Sequence, residues 1–138
     1  MNSYEYSKFE FLRSDLNAAS FGGKLSDEDL IFNRPIVFIH GNGDIAINGD
    51  FNTRGYSKVV QKYLAQGYRS SELYATTWGT GNPKDFYDNV HSNEFLNYLR
   101  NFIEAVLAYT QADQIDIIAH SMGVTMSRRV IKGGQVED

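Results

Sequence analysis

Ala119-His120-Ser121-Met122-Gly123 is the stretch of this sequence best suited to chemistry. A serine with small residues two places before and two places after it fits a nucleophile elbow, a tight strand-to-helix turn that thrusts a hydroxyl out of the backbone. Bulk at either small position would drive the helix into its own strand. The Ser121 hydroxyl could attack a carbonyl carbon, and the Met122 N–H at the start of the next helix could donate to the oxyanion that forms. The string alone is weak, since a chain of this length carries one by chance about once in ten, and a small-residue turn with a buried or capping Ser would read the same. A second stretch, His40-Gly41-Asn42-Gly43-Asp44, follows an apolar run. Glycine on either side lets the backbone approach a substrate, so the Asn42 N–H is the candidate second oxyanion donor. A plain glycine-rich turn would look alike, but both features occur in order, each at a strand's end. Together they point to acyl transfer at a serine.

The elements that must hold these residues alternate. Ile36-Val37-Phe38-Ile39, between Pro35 and Gly41, reads as a strand buried on both faces. Ser57 is placed to cap a helix with Val59, Val60, Tyr63 and Leu64 on one face, ending near Gly67. Leu73 to Trp78 reads as a second strand, followed by a loop with Gly79, Gly81, Asn82 and Pro83. From Ser92, apolar residues at Phe95, Leu96, Leu99, Phe102, Ile103, Val106 and Leu107 repeat with helical spacing and form a core stripe. Ile115 to Ala119 is a third strand, and Met122 to about Ile131 a helix stopped by Gly133-Gly134. The implied fold class is α/β, a mostly parallel sheet with helices on both faces. Residues 35–134 carry it, after an irregular lead-in over 1–34 and before a short tail over 135–138.

Composition narrows the function classes. The chain has 138 residues, 42% apolar and 22% charged, with 13 Lys+Arg against 17 Asp+Glu and a net charge of −4. That is one compact domain at most. Arg128-Arg129 is the one adjacent basic pair, so a nucleic acid partner is disfavoured. The absence of Cys excludes disulfides, thiolate zinc sites and Cys nucleophiles while leaving the compartment open. No apolar run approaches the roughly 18 residues of a membrane span, and the opening Met1 to Lys8 has no signal-peptide centre. Gly79-Thr80-Gly81-Asn82-Pro83 matches neither a P-loop nor a dinucleotide fingerprint. No cofactor is called for, and no metal: Asp44 and Asp50 read as solvated loop acids.

The stretches Pro35 to Asn42, Leu73 to Trp78 and Ile115 to Gly123 resemble class 2 triacylglycerol lipases, an α/β-hydrolase family. Ala119 in the first elbow position is that family's usual form. The lead-in Phe11 to Leu16 with Ser20 to Lys24 resembles its secreted invertebrate branch, which implies an extracellular location. The resemblance runs from about Phe9 to Gly134. It implies Ser121 as nucleophile, the Asn42 and Met122 amides as the oxyanion hole, and a fatty acyl ester such as triacylglycerol as substrate.

In this fold the order is Ser, then acid, then His, yet no His follows Ser121. His40 is expected to hold its loop by hydrogen bonding, His120 to point away from the working side of Ser121, and His91 to cap a helix or lie exposed. Glu137 and Asp138 read as solvated. Without a base the serine hydroxyl stays a poor nucleophile, so the chain alone is expected to be nearly inert. It is read as the N-terminal half of a hydrolase domain, incomplete at its C-terminal side, with base and acid in a missing C-terminal half. The rival is a noncatalytic hydrolase-fold protein that binds lipid or a protein partner along an exposed sheet edge. Trp78, Thr80 and Phe86 could line an acyl pocket, though an aromatic after a strand is more often core.

Overall fold

A computed structural model describes residues 11–16, 20–26, 28–47, 55–85 and 87–134. Four strands, β1 (Ser20–Phe21), β2 (Ile36–Ile39), β3 (Leu73–Thr76) and β4 (Asp116–Ala119), form one sheet in the order β1-β3-β2-β4. β2 runs parallel to both its neighbours, with Val37 between Tyr74 and Ile117 and Phe38 between Ala75 and Ile118. β1 lies antiparallel on the outer edge of β3. The lead-in, which shows no periodicity in sequence, therefore supplies an edge strand together with a 3-10 turn over Ser14–Leu16.

The apolar run of β2 is buried at every position because it has a core on each face. Val37, Ile39 and Tyr74 face helices α2 (Asn93–Thr110) and α3 (Met122–Lys132), packing with Leu99, Phe102 and Met126. Ile36, Phe38, Leu73 and Ala75 face the other way, onto Tyr56, Val60 and the turn Ala46-Ile47 beside helix α1 (Ser57–Ala65). The fully buried Leu99 and Met126 each contribute about 1.5–3 kcal/mol by leaving water.

Helix ends follow local chemistry with one correction. Ser92 caps α2, its hydroxyl accepting from the Phe95 N–H at 3.2 Å. Gly133, at φ +76, closes α3 and sends its N–H to the Arg129 carbonyl. The N-cap of α1 is Tyr56 rather than Ser57, which enters the helix as its first residue. The Tyr56 ring is held by packing on Phe38 and by its hydroxyl on the Ile39 carbonyl, so tertiary contact fixes the entry point. Val59 and Leu64 are likewise turned outward, leaving Val60 and Tyr63 as the contacts of α1 with the sheet.

β3 and β4 lie on opposite sides of β2, and α1 and α3, the helices that follow β2 and β4, cover opposite faces, so the chain leaves the C-terminal ends of β2 and β4 in diverging directions. Such a switch point opens a crevice in an α/β sheet. β4 pairs with β2 alone among the described residues, and its Ile117 and Ile118 are half-buried. A groove of about 420 Å³ runs beside it, lined by Ile103, Leu107, Ile115, Ile117 and Ile131.

Candidate functional site

Two backbone segments meet at this crevice: the loop His40–Asp44 after β2 and the turn His120–Gly123 after β4. The His120 N–H donates to the Ile39 carbonyl at 3.1 Å, carrying the ladder one residue past β4. The chain then reverses at Ser121, whose φ of 55° and ψ of −126° put a non-glycine residue in a costly backbone region. Ser121 is exposed, and its position as N-cap makes Met122 the first helical residue. The Met122 N–H therefore has no intrahelical acceptor and lies where the helix dipole is positive.

Glycine at position 123 is required by a neighbour. A Cβ there would collide with the carbonyl oxygens of Ile39 and His40. The clash is with the end of β2 and not, as expected from the sequence, with the helix's own strand. It is the direct packing of α3 on β2 that excludes a side chain. Gly41 reciprocates, since its Cβ would stand 3.2 Å from the Ser121 Cβ and 3.1 Å from His120 Nδ1.

The loop after β2 is fixed by a buried histidine. His40 is 1% exposed and stacks on Trp78 with ring centroids 5.3 Å apart. The Trp78 backbone N–H donates to His40 Nε2 at 3.0 Å, so the proton resides on Nδ1, which donates to the Gly41 carbonyl at 2.6 Å. The Trp78 indole N–H in turn donates to the His40 carbonyl at 2.9 Å. Burial lowers the His40 pKa to about 4, against the Nδ1–H bond to the Gly41 carbonyl, which favours the charged ring. The ring is thus a neutral brace, in line with the loop-holding role expected for it.

That brace aims a peptide group. The Gly41 carbonyl receives His40 Nδ1–H and, at 3.3 Å, the Asp44 N–H of the turn Gly41–Asp44. In a trans peptide the N–H points opposite to the carbonyl, so the Asn42 N–H is directed away from the His40 side. Gly43, at φ +73, supplies the left-handed third residue of that turn. Asp44 is an organiser of the loop rather than a solvated acid, its Oδ1 accepting from the N–H groups of Ile45 and Gly55.

The remaining sequence candidates fall into place as follows. Trp78 is core, 1% exposed and packed on His40 and Phe95, and so is not the wall of an open acyl pocket. Thr80 is exposed, accepting from the Asn82 N–H. His91 is no cap; its Nε2 lies 2.8 Å from Thr125 Oγ1 and links the segment before α2 to α3. His120 is exposed beside Gly41. Phe86, Asp50, Glu137 and Asp138 lie outside the described residues. Among the described residues no cluster of three or more His, Cys, Asp or Glu side chains could hold a metal, and no helix is long and apolar enough to cross a membrane.

Three further residues carried no signal in sequence. Arg13 reaches back to the carbonyls of Thr77 and Gly79 at 2.6 and 2.8 Å, fastening the loop after β3. Glu72 is a buried carboxylate bonded by the N–H groups of Phe32, Asn33 and Arg69. Burial alone would raise its pKa, but these bonds outweigh it and hold the carboxyl below the usual range. Asn89 is buried against Asn42. Each acts through contacts remote in sequence, which local spacing does not encode.

The model of the family described as lipase (class 2) matches residues 33–138. The match takes in both segments of the crevice and begins at residue 33, so the likeness of residues 11–16 and 20–24 to an invertebrate branch lies outside it.

Proposed function

The chain belongs to the class 2 lipase family, and from that premise we propose that it carries the nucleophile half of a serine ester hydrolase. Ser121 Oγ attacks the carbonyl carbon of a fatty acyl ester, triacylglycerol being the substrate class that the family suggests. The tetrahedral oxyanion receives the N–H groups of Met122 and Asn42. Its collapse expels the alcohol and leaves an acyl group on Ser121, which water then removes.

One observation carries this reading: an exposed serine at positive φ begins α3 with Gly41 against its Cβ. A buried or capping serine would need neither the unfavourable φ nor the glycine facing it. The proton acceptor is assigned to none of the three histidines. His40 has both ring nitrogens engaged in the core, His91 is held by Thr125, and His120 lies in the backbone turn itself. We place the base and its acid in sequence outside these 138 residues.

The test is a fluorophosphonate probe on the purified chain. With oxyanion donors but no base, a residual acceleration survives, so Ser121 should label slowly yet at least about ten-fold faster than the exposed Ser14 and Ser26. Ser121→Ala should abolish that adduct. A folded chain in which Ser121 labels no faster than those serines would favour a noncatalytic binding protein.

A further inference from the structure

Asn89 sits between the 3-10 turn Pro83–Asp85 and α2, with its backbone N–H on the Asp85 carbonyl at 3.2 Å. Its side chain is 4% exposed and wedged between the loops that follow β2 and β3. On one side Nδ2 donates to Asn42 Oδ1 at 2.9 Å. On the other, Oδ1 lies 3.0 Å from where a Gly79 Cβ would be, a closeness that a glycine at φ +77 permits. That Oδ1 is buried and accepts no hydrogen bond from the described residues.

A buried amide satisfied at one end is an expensive way to fill space, and an apolar side chain of similar size would leave no orphaned oxygen. Packing therefore does not account for asparagine here. The end that is satisfied is the one turned to Asn42. The Gly41–Asn42 peptide is already held at its carbonyl by His40 and Asp44. Asn89 adds a grip on the side chain of the residue whose N–H leaves the other side of that peptide.

We infer that Asn89 is a positioning residue for the loop after β2, fixing the Asn42 side chain and through it the direction of the Asn42 N–H. The inference rests on the role proposed above for that N–H. Asn89 touches neither Ser121 nor the ester; it acts by keeping a donor aimed.

The test uses the 138-residue chain with Asn89→Leu, Asn42→Ala and the double variant. Asn42→Ala keeps the peptide N–H and removes only the group that Asn89 holds. Each single variant should slow fluorophosphonate labelling of Ser121 about ten-fold, short of the 10²–10³ lost with a whole donor. The double variant should be no slower than either single one, because both break the same link. Amide hydrogen exchange should quicken in residues 41–44 and stay unchanged in α2. Unchanged labelling, or losses that multiply in the double variant, would overturn the inference. Exchange that quickens through α2 as well would reduce Asn89 to a structural residue. If Ser121 in the unaltered chain labels no faster than Ser14 and Ser26, the nucleophile reading is what fails. Protection of residues 41–44 that survives Asn89→Leu would then refute the grip on the loop by itself.

Discussion

The two segments that meet at the crevice are built in opposite ways. The loop after β2 leaves the middle of the sheet, is braced by a buried histidine, and is tied down by Asp44, Asn89 and the Thr77 hydroxyl, which accepts from the Ala46 N–H. The turn after β4 leaves the edge strand, exposes its serine and holds that serine at positive φ. Rigidity thus lies beneath the proposed oxyanion site, and strain lies on the group proposed to react. The strained turn persists because the rigid segment over-determines it: Gly123 and Gly41 leave no room for either backbone to relax.

The largest effect is expected where the two segments touch. Gly123→Val would push a side chain into the carbonyls of Ile39 and His40. Backbone cannot yield there as a flexible side chain would, so a loss on the order of 3 kcal/mol or more should appear in denaturant unfolding. A variant as stable as the parent would mean that α3 does not press on β2 as described.

This contact also shows how far the sequence could be read. Small residues at 119 and 123 announce a tight turn, and the apolar runs announce β2, β3, β4 and α2, because both signals are local and periodic. The partner that forbids bulk at 123 is a strand more than 80 residues earlier, beyond any periodicity, and so the clash was expected within the elbow itself. The same limit hid Arg13, Glu72 and Asn89. It also misplaced the cap of α1, where Ser57 has the right chemistry but the Tyr56 ring, bound to Phe38 and Ile39, decides where the helix begins. Asn42 and Met122 can be proposed from sequence because glycines and a helix start mark their N–H groups.

The brace of the β2 loop should register in pH. The His40 pKa of about 4 in the folded chain lies below the 6.5 of a free histidine, so the unfolded chain takes up the proton first. Stability from the neutral ring is complete above about pH 6.5 and falls as pH drops from there toward 4. The gap amounts to roughly 3 kcal/mol. Denaturation midpoints measured across that window should lose this slope in His40→Gln; a slope that survives would place its source elsewhere.

On the strained side the expected sign reverses. Ser121→Gly removes a side chain from a positive-φ position and should stabilise the fold by about 1 kcal/mol, seen as a higher urea midpoint, while removing the labelled hydroxyl. A destabilised Ser121→Gly chain would show that the turn stores no strain.

The smallest effect concerns the edge beside that turn. Ile131 is 70% exposed in the groove along β4, and the chain is expected to bind a hydrophobic dye or self-associate through this face. Ile131→Lys should cut dye fluorescence and change stability by less than about 0.5 kcal/mol. Sharp, dye-free melting of the unaltered chain as a monomer would argue that the edge needs no cover.

The most direct measurement is a crystal structure of the phosphonylated chain. With phosphorus on Ser121 Oγ, the phosphoryl oxygen stands where an ester oxyanion would. It should receive the N–H groups of Met122 and Asn42 at about 2.7–3.1 Å. An oxygen turned to solvent, or bonded by neither amide, would contradict the account.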